Sequence, residues 1–166
     1  MSSGQVANSD RDAGSGAGDR FAARALVRTH FRFGWWSLLA FLLLGLFLDA
    51  LHGFKAGFYL DASSSTRRLL WTLAHAHGSL LALVHIALAV FVQSHTTWPE
   101  RPRLIASRAL MGASILLPAG FFFGGLFTYD GDPGLLVYLV PVGAGLLLLA
   151  VFLAALASWR TSSLDG

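Results

Sequence analysis

Cysteine is absent from this sequence, lysine occurs once against eleven arginines, and charged residues make up only 13% of the chain. The missing thiols exclude disulfides, thiolate metal sites and cysteine nucleophiles, and they leave the redox compartment unread. An ordinary soluble domain carries about 25% charged residues, so half that share excludes one. No glycine-rich phosphate cradle, serine-nucleophile elbow or pair of carboxylates suited to acid and base work occurs, which weighs against nucleotide and hydrolase chemistry. Large side chains are also scarce over residues 1–19, where Ser, Gly, Asp and Asn dominate. Such a stretch cannot offset the entropy of ordering and is expected to be a disordered tail. It lacks the apolar core of a secretory signal.

What the sequence has in abundance is apolar surface: 55% hydrophobic residues and a mean hydropathy of +0.61. Four apolar segments, at about 33–53, 69–93, 109–128 and 134–159, each exceed or approach the ~20 helical residues needed to cross a hydrocarbon core. The expected fold is all-α: a polytopic membrane protein with an antiparallel bundle of four transmembrane helices over 33–160, and a short tail at 161–166. The connection Thr128-Tyr129-Asp130-Gly131-Asp132-Pro133-Gly134 reads as a tight turn, with Asp132 capping the last helix and Pro133 at its first position. A cation site at the two aspartates is the lesser alternative.

Basic residues cluster at segment ends. Arg20, Arg24, Arg28 and Arg32 recur every fourth residue over 20–32, which makes a basic stripe on a juxtamembrane helix suited to anionic lipid headgroups. The net charge of +3 and pI near 10.0 do not amount to a nucleic-acid surface, because no folded basic face accompanies them. Arg20, Arg24, Arg28, Arg32, Arg101, Arg103, Arg108 and Arg160 fall on one side of the expected topology, and Lys55, Arg67 and Arg68 on the other. The positive-inside rule then places both termini in the cytoplasm. Arginine-over-lysine usage with heavy Ala, Leu and Gly matches a GC-rich bacterial genome, and so a bacterial inner membrane. Trp35, Trp36, Trp98 and Trp159 are expected at the inner interface, and Tyr59, Trp71, Tyr129 and Tyr138 at the outer one.

The chemistry-bearing residues are histidines in apolar surroundings. At 100° per residue, Trp71, His75, Gly78, Ala82, His85 and Ala89 share one face of the second segment, a stripe of small residues that should meet other helices. His77 points away. On the first segment, Gly45, Asp49 and His52 share a face, so Asp49, His52 and His75 are the candidate site, with Tyr138 at a similar level. Two histidines and a carboxylate suit a divalent transition metal such as non-haem iron, and haem b held by His52 and His75 is a second option. His85 is expected to bond Ser114 on the third segment, and His30 and His95 to face solvent or headgroups. Pro118 and Pro141 each should free one helical carbonyl.

Intramembrane Asp, His and Ser also serve simply as glue between helices. The leading functional expectation is therefore a non-catalytic accessory, assembly or structural membrane subunit, with a homo-oligomer or a partner membrane subunit in view. A metal- or haem-dependent protein using the Asp49, His52 and His75 cluster is the alternative, and a small transporter or lipid-modifying enzyme the third.

Overall fold

Inside a bilayer each backbone N–H and C=O must find its partner within the protein, so long apolar runs become uninterrupted helices. The computed structural model describes the backbone of residues 3–95 and 98–162 and the side chains of 18–61, 63–95 and 98–159. Its regular elements are helical: α1 (Ser3–Gly53), α2 (Gly57–Leu60), a 3-10 turn (Ala62–Ser64), α3 (Ser65–Ser94), α4 (Glu100–Leu126), a second 3-10 turn (Leu135–Tyr138) and α5 (Leu139–Ser162). The tail expected over 1–19 falls, but for its last two residues, outside the residues whose side chains are described. Four stretches are long and apolar enough to cross a membrane: Gly18–Gly53, Ser65–Ser94, Glu100–Leu126 and Leu135–Trp159.

Residues 20–32 belong to α1 without a break, and α4 begins at Glu100 rather than near 109. Arg101, Arg103 and Arg108 are therefore helical, not loop residues. Pro102 is tolerated because it lies in the first turn of α4, where its missing N–H has no intrahelical partner in any case.

Packing follows chain order, α1 on α3, α3 on α4 and α4 on α5. The central position of α3 and α4 shows in burial: 39% and 50% of their most apolar windows are buried, against 11% for α1 and α5. Leu81, Leu88, Ala106, Leu110 and Leu117 form the main core, and Leu48, Tyr59 and Trp71 a second cluster near the short loops. Small residues set the approach of the helices. Gly78 receives the ring of Phe41, and Gly45 the imidazole of His75. On α4, Gly120 and Gly124 leave room for Val140 and Val137. A side chain at any of these positions would force two backbones apart.

Trp71, on the face of α3 expected to meet other helices, is buried and stacks on Phe122 with ring centroids 5.5 Å apart. Its indole Nε1 donates to the Phe122 carbonyl at 3.1 Å. Trp98 and Tyr59 are buried too, whereas Trp35, Trp36, Trp159, Tyr129 and Tyr138 are exposed. The 54–64 loop is tied down by arginine: Arg67 Nη1 donates to the carbonyl of Phe58, and Arg68 Nη1 to those of Tyr59 and Asp61. Arg67 Nε also reaches the carbonyl of Gly125, one of the last four of α4, which have no intrahelical donor.

The aspartates of the last loop do form a turn. Tyr129 and Asp132 exchange backbone hydrogen bonds of 3.1 and 2.8 Å, and the residues between them are left-handed, Asp130 at φ 49° and Gly131 at φ 90°. Two left-handed central residues are the signature of a type I′ turn, and Asp-Gly is a favoured pair for it. Asp132 does not cap a helix. Gly134 precedes the 3-10 turn without a side-chain cap, and Pro141 falls in the first turn of α5, where it breaks no helical hydrogen bond.

Candidate functional site

The polar centre of the molecule lies elsewhere than the sequence suggests. On α1, Val27, His30, Gly34, Phe41, Gly45 and Leu48 succeed one another at helical spacing along the face that meets α3. The arginines turn progressively away from that face, from Arg20 beside Val27 to Arg32 on the far side. His30 is fully buried, not solvent-facing, because Gly34 lets α1 approach α3 closely: Ile86 Cγ1 lies 2.8 Å from where a Cβ would stand. Opposite His30, α3 supplies His85, also fully buried.

The two rings stack with centroids 4.7 Å apart and share a hydrogen bond, Nδ1 to Nδ1, of 2.6 Å. The outer ring nitrogens both reach serines of α4. His30 Nε2 lies 2.8 Å from Ser107 Oγ, and His85 Nε2 lies 2.9 Å from Ser114 Oγ. The chain Ser107–His30–His85–Ser114 thus links three helices through three hydrogen bonds. All four ring nitrogens are bonded. A neutral imidazole has one donor and one acceptor nitrogen, so the row has two self-consistent polarities. Either Ser107 donates to His30, His30 to His85 and His85 to Ser114, or every direction reverses. The serines stand seven positions apart, about 10 Å along α4.

Of the expected site residues, only His85 enters this arrangement, and its bond to Ser114 is the one its depth suggested. Asp49 and His52 are exposed, and Tyr138 is 72% exposed in the second 3-10 turn. His75 packs against Gly45, and its Nδ1–H donates to the Phe41 carbonyl at 2.7 Å. Among the described residues no group of three His, Cys, Asp or Glu side chains is placed to hold a metal ion. Asp49, His52 and His75 do not constitute such a group. His77 donates to Leu73 of its own helix and stands against the ring of Phe121. His95 donates to Phe91 and stacks on that ring, half-buried rather than solvent-facing.

His30 was hidden by its neighbours: read with the arginines around it, it looks like one more polar residue on a wet helix. The signal that marks it is the spacing of Gly34 and Gly45, which puts a small-residue seam on the same face. No family model matches the chain, and it has no match among the curated proteins or the solved structures.

Proposed function

We propose that the chain is an integral membrane protein of four antiparallel helices, both termini cytoplasmic, that acts as a non-catalytic subunit. The observation that carries this reading is that every ring nitrogen of the buried histidine pair is engaged by another helix. None is left for a substrate or cofactor. Contacts such as Gly34 with Ile86 and Gly45 with His75 support the antiparallel arrangement, and the excess of arginine at one end supports the orientation. The broad apolar faces of α1 and α5 suit lipid, a second copy or a partner membrane subunit. A bacterial inner membrane and anionic headgroups at Arg20, Arg24, Arg28 and Arg32 complete the proposal. Metal analysis and a visible spectrum of the gently purified full chain test it. Neither a stoichiometric transition metal nor a haem band is expected; either would transfer the function to metal or redox chemistry.

One observation favours a second reading, proton handling. Ser114 lines a lateral crevice of about 270 Å³ between α1 and α4, and Ser107, at the other end of the row, is only half-buried. Reversing the polarity of the row moves protons from one end toward the other. Proton flux into sealed liposomes holding the protein, abolished by His85→Ala, would establish it, and flux equal to that of empty liposomes would remove it.

A further inference from the structure

One end of the molecule gathers positive charge around an opening that the histidine row does not use. There residues 19–32 of α1, the end of α3 and the start of α4 line a half-open cavity of about 770 Å³. Ligand sites commonly measure about 300–1,000 Å³. Five arginines line it, Arg103 and the four of the stripe, against Asp19 and Glu100. Val27, Phe31 and Trp98 give it an apolar wall.

Arg103 is the exceptional residue, only 5% exposed. Its Nη1 donates to the Trp98 carbonyl at 3.3 Å, while Nε and Nη2 have no hydrogen-bond partner among the described residues. Those two nitrogens are closed off from solvent, so the guanidinium acts on the cavity through its charge. A guanidinium stays charged in a protein, and a buried charge with unpaired donors costs several kcal/mol. The charge calls for an anion.

Depth narrows the choice. The candidate span of α4 has 27 residues. At ~1.5 Å each it is ~40 Å long, about 10 Å more than the hydrocarbon core. The surplus belongs at the Glu100 end, since the other end remains apolar to Leu126. The span of α1, at 36 residues, overshoots further, and its arginines lie on the surplus. The pocket therefore sits at headgroup level.

We propose that this pocket binds a phosphate-bearing anion, the headgroup of an anionic phospholipid, with the buried Arg103 charge behind it and Arg24 and Arg28 at its rim. The acyl chains would leave along Val27 and Phe31. The proposal draws on the membrane reading for the source of the ligand. It does not depend on which way the chain is inserted.

The full chain in mild detergent is titrated with phosphatidylglycerol, phosphatidylcholine and inorganic phosphate, and bound ligand is counted by native mass spectrometry. One phosphatidylglycerol should bind about tenfold more tightly than phosphatidylcholine, whose choline cation the arginines repel, and Arg103→Gln should reduce that preference severalfold. Displacement of the lipid by millimolar inorganic phosphate would identify the phosphate group alone as the ligand; resistance to it would identify the whole amphiphile. Equal binding of the two lipids without phosphate binding, or an unchanged preference in folded Arg103→Gln, overturns the site. Should Arg103→Gln not fold, Arg24→Gln with Arg28→Gln, both at exposed positions, should weaken binding severalfold, and unchanged affinity there overturns it equally. Loss of the lipid preference would leave the membrane reading standing, and a failed topology would leave the site standing.

Discussion

Between His30 and His85 there is room for one proton, and at 2.6 Å one ring must donate while the other accepts. Truncating either ring strands a nitrogen on the other and a serine hydroxyl on α4. His85→Ala should therefore destabilise the protein by about 1–3 kcal/mol, the range for orphaning a buried polar group. That exceeds the ~0.6 kcal/mol average of a hydrogen bond between membrane helices, because two bonds are lost together. Denaturation in detergent reads it, and the His30→Ala, His85→Ala double variant should cost less than the sum of the singles. Strict additivity would mean the rings do not act as a unit. His77→Ala, whose ring hydrogen-bonds only its own helix and otherwise touches Phe121, should cost less than His85→Ala. The bond from His85 to Ser114 was legible because both residues fall at one depth on adjacent apolar segments. Its continuation to His30 was not, since helical phase alone does not tell which side of a basic helix finds a partner. Asp49 and His52 share a helix face in sequence, but a shared face is not a buried one.

Among the elements, α3 carries the clearest correspondence between pattern and packing. Trp71, Gly78, Ala82, His85 and Ala89 are buried, while Leu80 is 55% exposed. Gly78→Leu should accordingly lower the melting temperature far more than Leu80→Ala, because any side chain at 78 collides with the Phe41 ring. Equal melting temperatures would refute that assignment of faces. Helix starts were less legible. Hydropathy alone starts the third segment near 109, whereas α4 takes in the arginines from Glu100 onward, since a charged stretch can remain helical outside the hydrocarbon. The loop of residues 128–134 was legible as a turn, but its closure by backbone hydrogen bonds rather than by an Asp132 cap depends on the left-handed pair Asp130 and Gly131. Gly131→Ala should cost about 1 kcal/mol, measurable by thermal unfolding, because a Cβ is disfavoured in that conformation.

For the whole molecule, low charge and four long apolar runs indicated four helices able to span a membrane, and four helices of that length and composition stand among the described residues. Orientation rests on arginine counts, and cysteine labelling after residues 60, 100, 131 and 166 should read outside, inside, outside, inside. A label at 100 reached from the outer face would reverse it. What composition could not reveal is that Ser107, His30, His85 and Ser114 bond one another across α1, α3 and α4. Magic-angle-spinning NMR of the histidine-labelled full chain in liposomes tests that claim most directly. Through-space transfer is expected between the Nδ1 nitrogens of His30 and His85, one protonated and the other accepting, with the signal lost in His30→Gln. Two histidine rings without such transfer, in protein that is folded and inserted, would contradict it.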